Sequence, residues 1–562
     1  MTKGAAMHGG LVLLLALLFG LGFGLNYGSS NQTTYLLPSL KALHPALWTR
    51  DWLITSTHCY HPAYAWLGTV LLRLSPGGAA IAWANVVFIA GGMLSMYGVL
   101  RLLAGQRAFA AFCLLLVLAS VTRTLAPGGS YAFSEVFQPS TLGSVGLLTA
   151  MLAFVAGQPL LSGLCMAVGG AFHVNYLVLG LCVFGIGWLL TGRERVIRRA
   201  LAGLLPPLGV LVFFLPFLLA SASPSISAEA QRIFQDVRSP HHYCVPRFAW
   251  DFAISAGFQL LGSAALLGPT LRGDVVQRRV LTLLVSSWLL VIPAALLSSV
   301  IVVRFVKQLM AWRICGQMDL LAQAALCAAL VGMLCEGQHA LARYDRRARI
   351  LAGSGVAALL LGSIGTGSWN GTLLVISLCA VALLIAKVLP RGPRNSELSG
   401  LSLGRVTAAA IITLVAVNTA RFTRFRHYSN LLSGGDRGVA TLCNWAQANT
   451  PQNALFLTPP REDELRLRCR RAIVVDWKSP SAMPDEVLQW FKRIEDVSGR
   501  SVNGDADLAG YDNLSPARVA SLQRRYSIDY VVVQKGHELA LGSPVYSGDR
   551  FVAYALNRAS AR

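Results

Sequence analysis

A succession of apolar runs, most near the length of a bilayer-crossing helix, limits the folds open to this chain more than any other feature. A helix needs about 20 apolar residues to cross about 30 Å of hydrocarbon. Runs of this kind lie near 10–26, 78–100, 107–122, 139–157, 160–174, 175–191, 199–221, 252–270, 278–300, 318–335, 349–364, 372–389 and 405–420. The chain is 54% hydrophobic and only 13% charged, against about a quarter charged in soluble globular domains. Most of it therefore belongs in lipid. The first run follows a single Lys3 and shows no A-x-A cleavage site, so it is expected to be a retained span.

The net charge of +22 would suit a nucleic-acid partner, but the basic residues gather in short clusters between apolar runs. These are 192–199; Arg272, Arg278 and Arg279; Arg343, Arg346, Arg347 and Arg349; and Lys387, Arg391 and Arg394. That is the positive-inside pattern, and no nucleic acid is called for. With these loops cytoplasmic, the N-terminus is inside, the loop 27–77 is outside, and the chain leaves the membrane on the outer face after residue 420. The eleven cysteines lie mostly in apolar runs without CxxC or His/Cys spacing, and predict neither a disulfide framework nor a zinc site.

Beyond residue 420 the pattern changes. Helical stretches at 439–448, 484–494 and 516–525 alternate with apolar strands at 454–459, 472–477, 529–534 and 551–556. This alternation predicts a small α/β layer domain. The expected fold is mainly α: a polytopic transmembrane helix bundle of about 11–13 spans over 1–420, with a C-terminal extracytoplasmic α/β domain over 421–562.

The stretch 25–67, LNYGSSNQTTYLLPSLKALHPALWTRDWLITSTHCYHPAYAWL, is too polar to cross a bilayer and too rich in Trp, Tyr and Leu for a loose linker. Within it Asp51 lies between Arg50 and Trp52. Seated at the interface by Trp48 and Trp52, its carboxylate would be partly desolvated and suited to act as a general base; a solvated or Arg-paired carboxylate is the structural alternative. His58 and His61 would contact a phosphate or, with Asp51, a divalent ion, although Pro62 biases His61 away from helix. Glu135, His173, His241 and His242 fall on the same outer side, where ionisable residues default to functional candidates. Adjacent histidines point apart, so one of His241 and His242 is expected to face a site. Arg304, Lys307 and Arg313, interleaved with Phe305, Leu309 and Trp312, would hold a lipid diphosphate or snorkel to headgroups. In the C-terminal domain, Arg466, Arg468, Asp476 and Lys478 cluster in TPPREDELRLRCRRAIVVDWKSP near a strand end, where α/β ligands tend to bind.

The long first outer loop with its acidic residue, the dozen spans and the C-terminal α/β domain resemble the GT-C superfamily of polyprenyl-phosphate-sugar-dependent glycosyltransferases. NQTTYLLPSLKALHPALWTRDW, RSPHHY and NWAQANTPQNALFLTPP…RCRRAIVVDWK resemble a family of uncharacterised bacterial multi-span proteins. The broader resemblance implies an inverting transferase of the bacterial inner membrane. A sugar would move from a polyprenyl-phosphate donor to a saccharide, lipid or protein acceptor on the periplasmic face. Asp51 would be the base, histidines and arginines would hold the donor phosphate, and the C-terminal domain would help bind the acceptor. The GT-C loop often carries a paired acid, whereas Asp51 stands alone. No cofactor is therefore expected, with Mg²⁺ or Mn²⁺ at Asp51 and His58 as the alternative. A transporter or flippase of lipid-linked saccharide, and a non-catalytic partner in envelope-polysaccharide assembly, are the competing classes.

Overall fold

A computed structural model of the protein describes residues 3–58, 61–122, 126–191, 196–219, 224–301, 304–336, 345–365, 408, 411–416, 430–433, 435–481 and 483–556. Among these, seven helical stretches are long and apolar enough to cross a membrane, and three shorter apolar helices stand beside them. Helix follows apolar run closely: Ala79–Ala104, Pro139–Ala156, Ala249–Leu271, Val275–Ser299 and Arg346–Gly365 each begin or end within a few residues of the expected span. The expected span 372–389 and most of 405–420 lie outside the described residues.

Local chemistry sets the breaks. Gly105 adopts φ +58°, ends the long helix Ala79–Ala104 and lets the chain turn into Ala108–Val121. Pro139 and Pro159 each open a helix, where a missing N–H costs nothing. The helices Pro139–Ala156 and Pro159–Phe172 approach backbone to backbone, because a Cβ on Gly146 would meet Gly169 Cα at 2.6 Å. A buried carboxyl interrupts the apolar bundle: Asp319 Oδ1 accepts from Ser255 Oγ and Gln259 Nε2, both at 2.7 Å. Its carboxyl lines a small cavity of about 60 Å³ with Thr122, Tyr131 and Gln323.

The C-terminal part forms a cap around a five-stranded sheet. Its strands are β1 (Leu455–Leu457), β2 (Ala472–Ile473), β3 (Tyr530–Gln534), β4 (Tyr546–Ser547) and β5 (Phe551–Ala555), in the order β2-β1-β3-β5-β4. β1 runs parallel to β2 and β3, and β5 is antiparallel to β3 and β4. Alternate strand residues enter two separate cores. Val531 and Val533 meet Trp490 and Ile494 of the helix Pro484–Ser498 on one face. Val532 and Phe456 meet Leu442 and Ala446 of Arg437–Asn449 on the other. The four expected strands and three expected helices are present in position. β4 was not foreseen, because two residues carry no periodicity.

Cap and bundle share side-chain packing. Ala230, Ile233 and Val237, on the helix Pro224–Arg232 and the π-helical turn Ile233–Arg238, join the core of the cap. Leu467 of the cap packs into the cluster formed by Leu36, Leu40 and Trp48.

The cysteine expectation needs correction: Cys443 and Cys469 are disulfide-bonded, 26 residues apart, tying the helix Arg437–Asn449 to Leu465–Cys469. Two lone cysteines bearing no motif cannot be paired from sequence; the fold brings them together. Closing a loop of this length restricts the unfolded chain by about 3 kcal/mol. Replacing both cysteines by serine should lower cap stability by about that amount, measured by chemical unfolding in detergent. The wild-type protein should also yield two extra reactive thiols only after reduction.

Candidate functional site

The stretch around Asp51 is built on the cap rather than on lipid. Gly28 N donates to Gln32 Oε1 at 2.7 Å, while Gln32 Nε2 and Tyr64 Oη both donate to the Phe137 carbonyl. These bonds hold the Gln32–Tyr35 turn and the helix Pro62–Leu74 against the start of Pro139–Ala156. Trp48 Nε1 donates to the Arg466 carbonyl, and Trp52 lies under the Arg493 guanidinium at 4.8 Å. The two tryptophans expected at a membrane interface are thus seated against protein.

Asp51 is fully buried. Its Oδ2 accepts from Arg466 Nε at 2.9 Å and Ile473 N at 3.0 Å, and its Oδ1 accepts from Leu53 N, capping Trp52–Ser56. Arg466 also pairs with buried Asp476, whose Oδ1 accepts from Ser479 N. The neighbouring Arg50 turns away to Asp529. A carboxylate with three donors and no exposed face is an anchor, so the geometry does not give Asp51 the place of an accessible base.

His58 Nδ1 lies 2.6 Å from Glu486 Oε1, with the side chain two-thirds exposed. It shares no partner with Asp51, so the ion site expected of that pair does not form. Among the described residues no group of three His, Cys, Asp or Glu is placed to hold a metal. Nor do His58 and His61 share a helix face, because His61 precedes Pro62–Leu74 in non-helical backbone. Lys307 is occupied by Asp236 at 2.5 Å, and Arg468 by Glu464 at 2.9 Å. Arg304 opens the helix Arg304–Leu309, and its side chain lies outside the described residues.

Three expected histidines do come together, around Arg313. His61 stacks on His173 with centroids 5.7 Å apart, meets Tyr35 edge-on at 5.0 Å, and places Nδ1 3.0 Å from the Phe172 carbonyl. His173 lies 4.6 Å from the Tyr176 ring. His242 Nδ1 is 2.6 Å from the Gly128 carbonyl, and Trp312 Nε1 donates to the His242 carbonyl. Gly128 adopts φ +68°, and a Cβ there would sit 2.5 Å from Trp312 Nε1. Burial, with the Arg313 charge as a smaller cause, lowers His61 to about 4 and His242 to about 3. Both are neutral at pH 7. His241 points outward, with its ring 4.0 Å from that of His242. Arg313 itself is half-buried and has no side-chain hydrogen bond or ion pair among the described residues.

A second unpaired cation lies at the seam with the cap. Lys478 is half-buried and without an ion-pair partner among the described residues. Burial lowers its pKa, with Arg238 adding to this, while Asp463, Asp476 and Glu135 oppose it. Arg238 holds the cap by donating to the Trp477 carbonyl at 2.7 Å. Glu135 is exposed; its backbone carbonyl accepts from Asn26.

Asp463, Arg238, Tyr35 and Asp319 were not singled out from sequence. Asp463 stands within the run TPPREDEL, where it alone of Glu462, Asp463 and Glu464 has no Arg four residues on. Glu462 is taken up by Arg550 and Glu464 by Arg468, whereas Asp463 has no ion pair among the described residues and accepts from Thr33 Oγ1, at 3.3 Å. Burial and then Asp476 raise Asp463 to about 6.

Residues 437–497 match a family model described as a domain of unknown function, DUF6798. No curated protein matches the sequence. Among solved structures, the crystal structure of ArnT from Cupriavidus metallidurans in the apo state is similar, with a TM-score of 0.50 and 15% identity. The match covers 98% of this chain and 97% of that one. The likeness is one of fold, and it meets the expected polytopic helix bundle with a C-terminal α/β part.

Two outcomes follow from this geometry. Asp51→Ala leaves Arg466 buried with one partner fewer and should cost about 3 kcal/mol, read as a lowered unfolding midpoint in detergent. For the histidines, the folded pKa is depressed below the unfolded value of 6.5. Their contribution to stability is therefore present above pH 6.5 and is lost as pH falls from 6.5 towards about 4 for His61 and about 3 for His242. Stability measured across that window should fall, and His61→Gln should flatten the slope.

Proposed function

We propose that the protein is a membrane glycosyltransferase that moves a sugar from a polyprenyl-phosphate donor to an acceptor on the outer, periplasmic face. The observation that carries this is Arg313: an unpaired guanidinium set among neutral imidazoles and phenols at the cap end of the bundle. Like-charged histidines would compete with it for counter-ions, but His61 and His242 are held neutral and act only as hydrogen-bonding walls. A phosphate monoester or diester is the ligand such a site suits. The planar guanidinium grips two phosphate oxygens, and the low-polarity surround strengthens the contact. Lys478 adds a second positive charge nearby. As the sugar–phosphate bond breaks, charge grows on the phosphate, and cations already in place stabilise it without reorganising.

The fold shared with ArnT supports the general kind of activity, and the apolar bundle suits a donor with a polyprenyl tail. The Cys443–Cys469 disulfide supports placing the cap in an oxidising compartment, as the distribution of basic loops also suggests.

The test is binding of geranylgeranyl phosphate to the detergent-solubilised protein, read as a rise in unfolding temperature. Arg313→Ala should abolish that rise at concentrations saturating the wild type. Arg313→Lys should keep only part of it, since the two-pronged contact is lost. Equal stabilisation of wild type and Arg313→Ala would remove Arg313 from the donor site.

A further inference from the structure

We propose that the seam between the Gln32–Tyr35 turn and the cap is the acceptor subsite, and that the Asp463 carboxylate takes the proton from an acceptor hydroxyl there. This rests on the donor reading above and adds to it a base, the element that carries it and a substrate class.

One helical turn joins the parts. Thr33 Oγ1 donates to Asp463, Thr34 Oγ1 lies 2.7 Å from Ser479 Oγ, and the Tyr35 ring meets His61. Asp463 and His61 therefore both touch one four-residue turn, Asp463 at Thr33 and His61 at Tyr35. Lys478 lies between: its charge is felt by His241 on one side, and it feels Asp463 and Glu135 on the other. Donor phosphate on Arg313 and Lys478 would leave its sugar facing this seam.

The other cap carboxylates here are committed. Asp476 is bound to Arg466, Glu462 to Arg550, Glu464 to Arg468 and Glu486 to His58. Among the described residues Asp463 has no ion pair, and its one side-chain hydrogen-bond partner is the Thr33 hydroxyl. The charged groups facing it are Asp476 and Glu464, which raise its proton affinity, and Lys478, which lowers it; burial is the largest cause, and it titrates at about 6. A carboxylate of that basicity is ionised at pH 7 yet still takes up a proton as it develops.

In the transfer step the acceptor oxygen forms a bond to the anomeric carbon while the bond from that carbon to the phosphate oxygen breaks. The hydroxyl proton passes to Asp463, and the electron pair leaves with the phosphate as polyprenyl phosphate, held by Arg313 and Lys478. Attack opposite the leaving group inverts the anomeric centre.

The experiment uses the full chain in detergent, with geranylgeranyl phosphate as donor mimic and geranylgeranyl-phosphoryl hexoses with glycerol as surrogate substrates. Asp463→Asn should bind geranylgeranyl phosphate within about twofold of wild type but release lipid phosphate at least ~100-fold more slowly. In the wild type, kcat/KM should rise with pH to a plateau with a midpoint near 6, and Asp463→Glu should restore part of the rate. Asp463→Asn turning over at the wild-type rate overturns the assignment, while Arg313→Ala without binding leaves the donor reading in place.

If no surrogate turns over, carbodiimide labelling of Asp463, read by mass spectrometry, decides. The reagent consumes the protonated carboxyl. A phosphate bound nearby should move the labelling midpoint upward, because two negative charges oppose each other. A midpoint unmoved by geranylgeranyl phosphate that demonstrably binds overturns the subsite. Absence of binding to the wild type fails the donor reading instead.

Discussion

A single buried guanidinium holds the architecture together. Arg466 lies between Asp51 of the loop and Asp476 of the cap, with all three side chains at or near zero exposure. Moving three charges out of water is expensive, and such a group is stable only when every lone pair and N–H finds a partner. Here the backbone supplies them: Leu53 N and Ile473 N on Asp51, Ser479 N on Asp476. The cost of burial is set against specificity, since no other register of loop on cap satisfies the same donors. Asp463 lies three residues before Arg466 and Lys478 two after Asp476, so the clasp also fixes the proposed base and its neighbouring cation at the seam.

The charge arrangement has a direction. Most acids of the cap are neutralised by arginines: Asp436 and Glu462 by Arg550, Asp496 by Arg525, Asp529 by Arg50. Near the seam, Arg313, Lys478, Asp463 and Glu135 carry no ion pair among the described residues. In a chain with 48 basic and 26 acidic residues, charge alone marks no site. A site is marked by charges that the fold brings close and then leaves unsatisfied.

This is also why sequence showed the fold better than the site. Apolar runs and strand alternation are local, and helices and strands appear where they predict. Even the uncertain boundary near residue 174 falls at His173, between Pro159–Phe172 and Val174–Leu190. Convergence of His61, His173 and His242 with Arg313 followed from topology alone: loops on one side of a membrane can meet. Asp51 stood out because it lies alone beside tryptophans, yet that isolation reflects a partner 415 residues away in Arg466. Asp463 is hidden in part by distance: Glu464 pairs with Arg468 one turn on, but Glu462 is claimed by Arg550, 88 residues away, and Asp463 meets Thr33, 430 residues away. Those distant partners, which no local pattern encodes, complete the difference between the three acids.

Loop, bundle and cap meet in one place. A transferase must keep water from its activated donor, so a base fully exposed at the membrane surface would be a poor arrangement. In the reaction proposed above, the carboxylate on the cap and the phosphate cation at the top of the bundle would hold the reacting carbon between these two bodies. Neither body can drift without breaking the Arg466 clasp or the packing of Ala230, Ile233 and Val237 into the cap. The neutral imidazoles complete the arrangement. Because burial and the Arg313 field keep His61 and His242 uncharged, the positive potential is concentrated at Arg313 and Lys478. In the proposed reaction it would act on the departing phosphate rather than being spread across the wall.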